Sequence, residues 1–125
     1  GPSFCSGGDP DEFGTLSHPA SAHLIRTTRS PGAPVHRLRD RMTVHVQGAC
    51  AGAGVELPPF AGHVVAAPDT TFLLPELAMG LIPGAGGTVS LPRRIGRERT
   101  ERLALSGEAI DSATALEWGL VDELG

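Results

Sequence analysis

Short apolar runs separated by breaks rich in glycine, proline and polar residues set the pattern of this chain. Thr43-Val-His-Val-Gln47 alternates β-branched and polar positions and predicts the clearest strand. His63-Val-Val-Ala-Ala67 predicts a second strand of a buried type, and Thr71-Phe-Leu-Leu74 a short third one. Residues 1–9 read as a strand end running into a Ser-Gly-Gly-Asp turn, with Asp9 capping the next helix or loop, and 10–19 as a loop. Leu24 and Ile25 share a helical face within Ser21–Arg29, where Ser21 is available as N-cap. Pro31 and Pro34 then break or kink the pattern, and His36–Arg41 is compatible with a further helical stretch.

Small residues dominate the next breaks. Gly48-Ala-Cys-Ala-Gly-Ala-Gly54 comes after the clearest strand and predicts a tight turn feeding a helix that starts near Ala53. Pro58 and Pro59 are tolerable there only in a helix's first turn. Ile82-Pro-Gly-Ala-Gly-Gly-Thr88 is a second such turn, with a helix opening at Gly87/Thr88 toward Leu91. Arg97–Ser106 reads as a helix ended by Gly107, and Ser112 as the cap of another that runs through Trp118 to Gly119. Val121 returns to strand. Strands alternating with helices indicate an α/β architecture, and neither an internal repeat nor a low-complexity segment interrupts it.

A chain of 125 residues fits one domain, taken as 1–125, and can bury roughly two-thirds of its unfolded surface. The net charge of −4 offers no electrostatic case for nucleic acid. Arg93, Arg94, Arg97, Arg99 and Arg102 cluster, but Glu98 and Glu101 interrupt them. That cluster reads first as a solvated helix face and second as a contact for an anionic ligand group. No apolar run reaches the ~18 residues of a bilayer span, and no secretory pattern is present, so the expected location is the cytosol with no membrane partner. Cys5 and Cys50 make no disulfide framework and read as buried free thiols. The histidines show no metal-ligand spacing, and His45 and His63 fall in strand-like runs, so no metal is implied. The chain opens on Gly1-Pro-Ser-Phe-Cys without an initiator Met and stops just after a strand-like run. Further chain is therefore expected at both ends.

Two glutamates carry the candidate chemistry. Glu56 comes after the first small-residue turn and Glu76 precedes the second. Each sits among apolar or proline neighbours, where a carboxylate is costly unless it has a partner or a task. Two carboxyl groups facing one pocket can hold a water and move its protons. Amides in the turns at Gly8 and Ala53 are candidates to donate to a developing oxyanion, worth ~3–4 kcal/mol per lost donor. The competing reading makes the small residues packing turns and the glutamates surface charges; the joint occurrence weighs against it. Gly48–Gly54 gives neither G-x-G-x-x-G nor a P-loop, and Ser6 lacks a G-x-S-x-G frame.

Phe4-Cys-Ser-Gly-Gly-Asp9, Val46–Leu57, Phe72–Thr88 and Leu105–Val121 together resemble the crotonase (enoyl-CoA hydratase/isomerase) family, in order and at its spacing. Residues 15–42 are unspecific. The resemblance implies a crotonase-like ββα spiral core, here incomplete at both ends, and a homotrimer or hexamer in the intact protein. It implies an acyl-CoA thioester as substrate, with coenzyme A carried by the substrate and no separate cofactor. It places the oxyanion hole on the amides of Gly8 and Ala53, and the hydratase's acid/base pair on Glu56 and Glu76. Ser6, Gly7, Gly52, Pro83 and Gly84 are implied as substrate-binding. On that pattern Glu56 activates the water attacking C3 and Glu76 delivers a proton to C2. Isomerases of the family usually keep one of the two positions, so both together favour a hydratase over an isomerase, other enolate chemistry or a non-catalytic acyl-CoA binder. Three departures stand out: Ala53 replaces a usual glycine, which requires a negative φ; Pro58 and Pro59 come directly behind Glu56; and Gly62-His63 replaces a usual Asp.

Overall fold

The computed structural model describes residues 1–15 and 17–125. Among the described residues six strands form two small sheets. β1 (Thr43–Val46), β3 (His63–Ala66) and β6 (Glu123–Leu124) make a parallel sheet in the order β1-β3-β6, with Thr43 opposite His63 and Val65 opposite Glu123. β2 (Ala49–Ala51), β4 (Thr71–Leu73) and β5 (Ile110–Asp111) make the other, β2 parallel to β4 and β5 antiparallel to it. The pairs β1/β2 and β3/β4 thus each send their first member to one sheet and their second to the other, whereas β5 and β6 take the reverse order. A helix succeeds each of these two pairs: α3 (Ala53–Glu56) after β2, and α4 (Gly87–Ile95) after β4. This is the repeating ββα unit that the resemblance implies. α1 (Pro19–Thr28) and α2 (Gly32–Arg37) precede the sheets, and α5 (Arg97–Ser106) and α6 (Ser112–Trp118) complete the helical layer.

The core lies between the sheets and the later helices. Val46, Val64, Ala66 and Phe72 from the strands and Leu74 just beyond β4 (Thr71–Leu73) meet Leu91, Ile95, Leu103, Ala115 and Trp118 from α4, α5 and α6. Burial on this scale removes apolar surface from water at roughly 25 cal/mol per Å² and is the main force holding the layers together. Strand pairing needs that packing, since none of the strands exceeds four residues.

Several local expectations are corrected. Ala49–Ala51 is a strand although it lacks β-branched residues; pairing to β4 and a parallel bridge from Cys5 to Cys50 hold it. Cys50 is buried as expected, but Cys5 is only half-buried. α1 starts at Pro19, whose fixed φ suits the first helical position, so Ser21 is not the cap. Pro34 lies inside α2, which stops at Arg37, and Arg39–Arg41 forms a separate 3-10 turn. A 3-10 turn at Pro10–Glu12, with Asp9 accepting from the Asp11 amide, interrupts the expected loop. α3 ends at Glu56, and Pro58–Phe60 forms its own 3-10 turn instead of opening a helix. Asp111, not Ser112, caps α6 by accepting from the Thr114 amide, which frees Ser112 to donate to the Pro68 carbonyl. Val121 packs in the core, and the β6 ladder forms only at Glu123–Leu124.

The arginine cluster divides. Arg97 pairs with Glu101 at an exposed (i, i+4) spacing, Arg99 and Arg102 lie over the Trp118 ring, and Arg94 reaches the Leu120 carbonyl and Asp122. His45 is exposed on β1, and His63 is half-buried beside Glu123.

Candidate active site

Glu56 is the last residue of α3 and is 2 % exposed. The turn before it sets its position: Gly52 has φ 51°, a left-handed conformation that disfavours a side chain. The Gly52 carbonyl accepts from the amides of Val55 and Glu56, and Ala53 enters the helix with a negative φ. The Glu56 carboxyl group crosses to the second glycine-rich turn. Its Oε2 accepts from the Ala85 amide at 2.8 Å and the Gly87 amide at 2.7 Å. A Cβ on Gly87 would stand 2.8 Å from Glu56 Cγ, so the close approach requires glycine there. Ser90 on α4 donates to the Glu56 carbonyl at 2.6 Å, tying the backbone of the same residue to the same helix.

Glu76 opens a 3-10 turn, Glu76–Met79, just beyond β4, where Gly80 closes it in the left-handed region. It is 8 % exposed, and its Oε2 is buried without a hydrogen-bond partner among the described residues. Its other oxygen lies against Gly52, where an added Cβ would stand 2.8 Å from Oε1. The turn that starts α3 therefore also makes room for the second carboxyl group.

Both carboxyl groups line one cleft of about 400 Å³, together with Gly8, Ala53, Gly84 and Ala85. Burial raises the pKa of Glu56 above the ordinary carboxylate range; the amide of Gly87 opposes the shift, and the negative charge of Glu76 adds to it. Burial also raises the pKa of Glu76, offset in part by its own amide. Among the described residues the amides of Gly8 and Ala53 donate no hydrogen bond within the protein. A cavity of about 460 Å³ between Phe60, Arg93 and Asp122 is larger but contains neither glutamate. Size alone therefore does not mark the chemistry.

Of the other residues expected to bind substrate, only Gly84 lines this cleft. Ser6 and Gly7 lie on the approach turn, and Gly52 lies behind Glu76. Pro83 faces a separate apolar groove with Leu91 and Leu105. Sequence reasoning does not single out the amides that hold Glu56, or Arg26, Phe13 and Leu81 in the cleft wall. The glycines at 84–87 signal a turn, but nothing local announces a carboxylate 29 to 31 residues away.

The arrangement offers two proton-exchanging groups and two unspent amide donors around one small space. That combination suits addition or removal of a proton next to a carbonyl whose oxygen takes up charge.

The family model described as Enoyl-CoA hydratase/isomerase matches residues 1–124. The mevalonyl-coenzyme A hydratase sidH of Aspergillus fumigatus is 32% identical over 124 residues, which is 99% of this chain and 46% of that protein. An enoyl-CoA hydratase from Thermoplasma volcanium superposes with a TM-score of 0.85 at 30% identity, over 100% of this chain and 50% of the other. A Thermobifida fusca chain solved in complex with CoA gives a TM-score of 0.80 at 28% identity, over 100% of this chain and 52% of that one. The chain thus spans about half the length of the relatives it matches. Its mixed α/β architecture is the crotonase fold over that half.

Proposed function

Because the chain belongs to the enoyl-CoA hydratase/isomerase family, we propose that the protein adds water across the α,β double bond of a 2-enoyl-CoA thioester. Glu56 and Glu76 are the acid/base pair of this reading. The observation that carries it is the convergence of both buried carboxyl groups on one cleft beside the amides of Gly8 and Ala53.

The two glutamates are not equivalent. Two amides fix Oε2 of Glu56 and oppose the rise that burial gives its pKa, leaving Oε1 to take a proton from water. Oxygen of that water then bonds to C3 as electrons move from the double bond onto the thioester oxygen. The amides of Gly8 and Ala53 stabilise the resulting enolate. Glu76, buried with an unpartnered oxygen, is better suited to the protonated state and donates to C2. The product is a 3-hydroxyacyl-CoA, and one further proton exchange with water resets the pair. A homotrimer or hexamer and a cytosolic location belong to the same reading.

The asymmetry favours one second reading. If Glu56 only positions the turn and Glu76 alone moves protons, the reaction is double-bond isomerisation. The full-length protein is tested against a short 2-enoyl-CoA by loss of the conjugated enoyl-thioester absorbance. Glu56→Gln and Glu76→Gln are each expected to lower kcat by ~10²–10⁴. Hydration that survives either substitution at near wild-type rate rejects the paired mechanism.

A further inference from the structure

One basic side chain reaches the wall of this cleft. Arg26, on α1, lines the same space as Glu56 and Glu76, as does Ala22 one turn earlier. The guanidinium carbon and Nη1 of Arg26 stand 3.4 Å from where a Cβ on Gly84 would lie, so the group rests against the glycine-rich turn next to the Ala85 amide that holds Glu56. Glu12 also lines the cleft, yet among the described residues Arg26 makes no ion pair or side-chain hydrogen bond. The rest of that wall is small or apolar, with Leu81, Ile82 and Ala85.

We propose that Arg26 is a specificity-determining residue that selects an acyl group ending in a carboxylate. The inference rests on reading the cleft as the acyl-thioester site. An arginine presents several donors in a rigid fork that matches a carboxylate in two parallel hydrogen bonds. Arg26 is exposed at the cleft wall, so its guanidinium stays hydrated beside an unsubstituted alkyl tail and gains nothing from it, whereas a carboxylate there gains a charge-assisted pair. Because Arg26 lines the same cleft as the two glutamates, what meets it on this reading is the far end of a short acyl group.

The test compares binding of two unreactive saturated thioesters, butyryl-CoA and glutaryl-CoA, to the full-length protein by titration calorimetry. Neither needs turnover, so failure of hydration and failure of this proposal are distinguishable. Wild type is expected to prefer glutaryl-CoA, and Arg26→Gln to lose roughly 10- to 100-fold in its affinity while butyryl-CoA changes less than threefold. Arg26→Lys is expected to retain part of the preference, since it keeps the charge without the fork. Equal loss for both ligands assigns Arg26 to the CoA moiety and overturns the proposal. So does a wild type that prefers butyryl-CoA or binds neither.

Discussion

At Glu76, burial and an unpartnered oxygen act on stability in the same direction. The folded-state pKa is raised above the ordinary carboxylate value, with burial as the main cause. A raised folded pKa means that the stability held below the unfolded pKa of about 4.3 is lost as pH climbs through the folded value. Glu76→Gln removes that titration. The full-length variant is expected to match wild type near pH 4 and to be more stable at neutral pH, by on the order of 1 kcal/mol or about 2–4 °C. Thermal melts at both pH values check this; a stability difference that does not change with pH would contradict it. The same reasoning explains why the site is partly legible. A glutamate among proline and leucine is visible in the sequence as a misplaced charge, so Glu56 and Glu76 both stand out. Arg26 does not, because it lies in an unspecific stretch and its significance comes only from what α1 faces.

Helix and strand positions obey local rules where those rules have no competitor. Arg97–Ser106 is a helix closed by left-handed Gly107, as its sequence pattern predicts. α3 is different: four residues cannot sustain a helix by propensity, and it is held through its contacts. One of these is the Ser90 hydroxyl on α4, which donates to the Glu56 carbonyl in a buried setting. Ser90→Ala would leave that carbonyl without its partner and is expected to cost about 1–3 kcal/mol. Urea unfolding of the full-length protein would read it as a lower midpoint at unchanged slope, and an unchanged midpoint would show that the bond does not anchor α3. Ala49–Ala51 escapes a local reading for a related reason. Alanine and cysteine carry little strand preference, and its ladder is supplied by β4, a distant stretch of the chain.

Across the whole molecule, Asp122 joins parts far apart in the chain. Its Oδ2 accepts from the Val64 amide at 2.8 Å and pairs with Arg94, linking β3, α4 and the approach to β6. Arg94 also donates to the Leu120 carbonyl. Asp122→Ala strips Arg94 and Val64 of one acceptor, and roughly 1–2 kcal/mol of destabilisation is expected, since the carboxylate is about a third exposed. Chemical denaturation together with hydrogen exchange at the β3 and β6 amides would check it; unchanged protection there would contradict the link. By itself the sequence determined the α/β class, the two small-residue turns, the helix Arg97–Ser106 and the candidate glutamates, because periodicity, glycine and misplaced charge are local signals. Only the tertiary structure decided that the amides of Ala85 and Gly87 grip Glu56, that Glu76 is packed against Gly52, and that Arg26 shares their cleft. Those relations join residues tens of positions apart. They arise from packing the strands into two sheets, which no window of the chain contains.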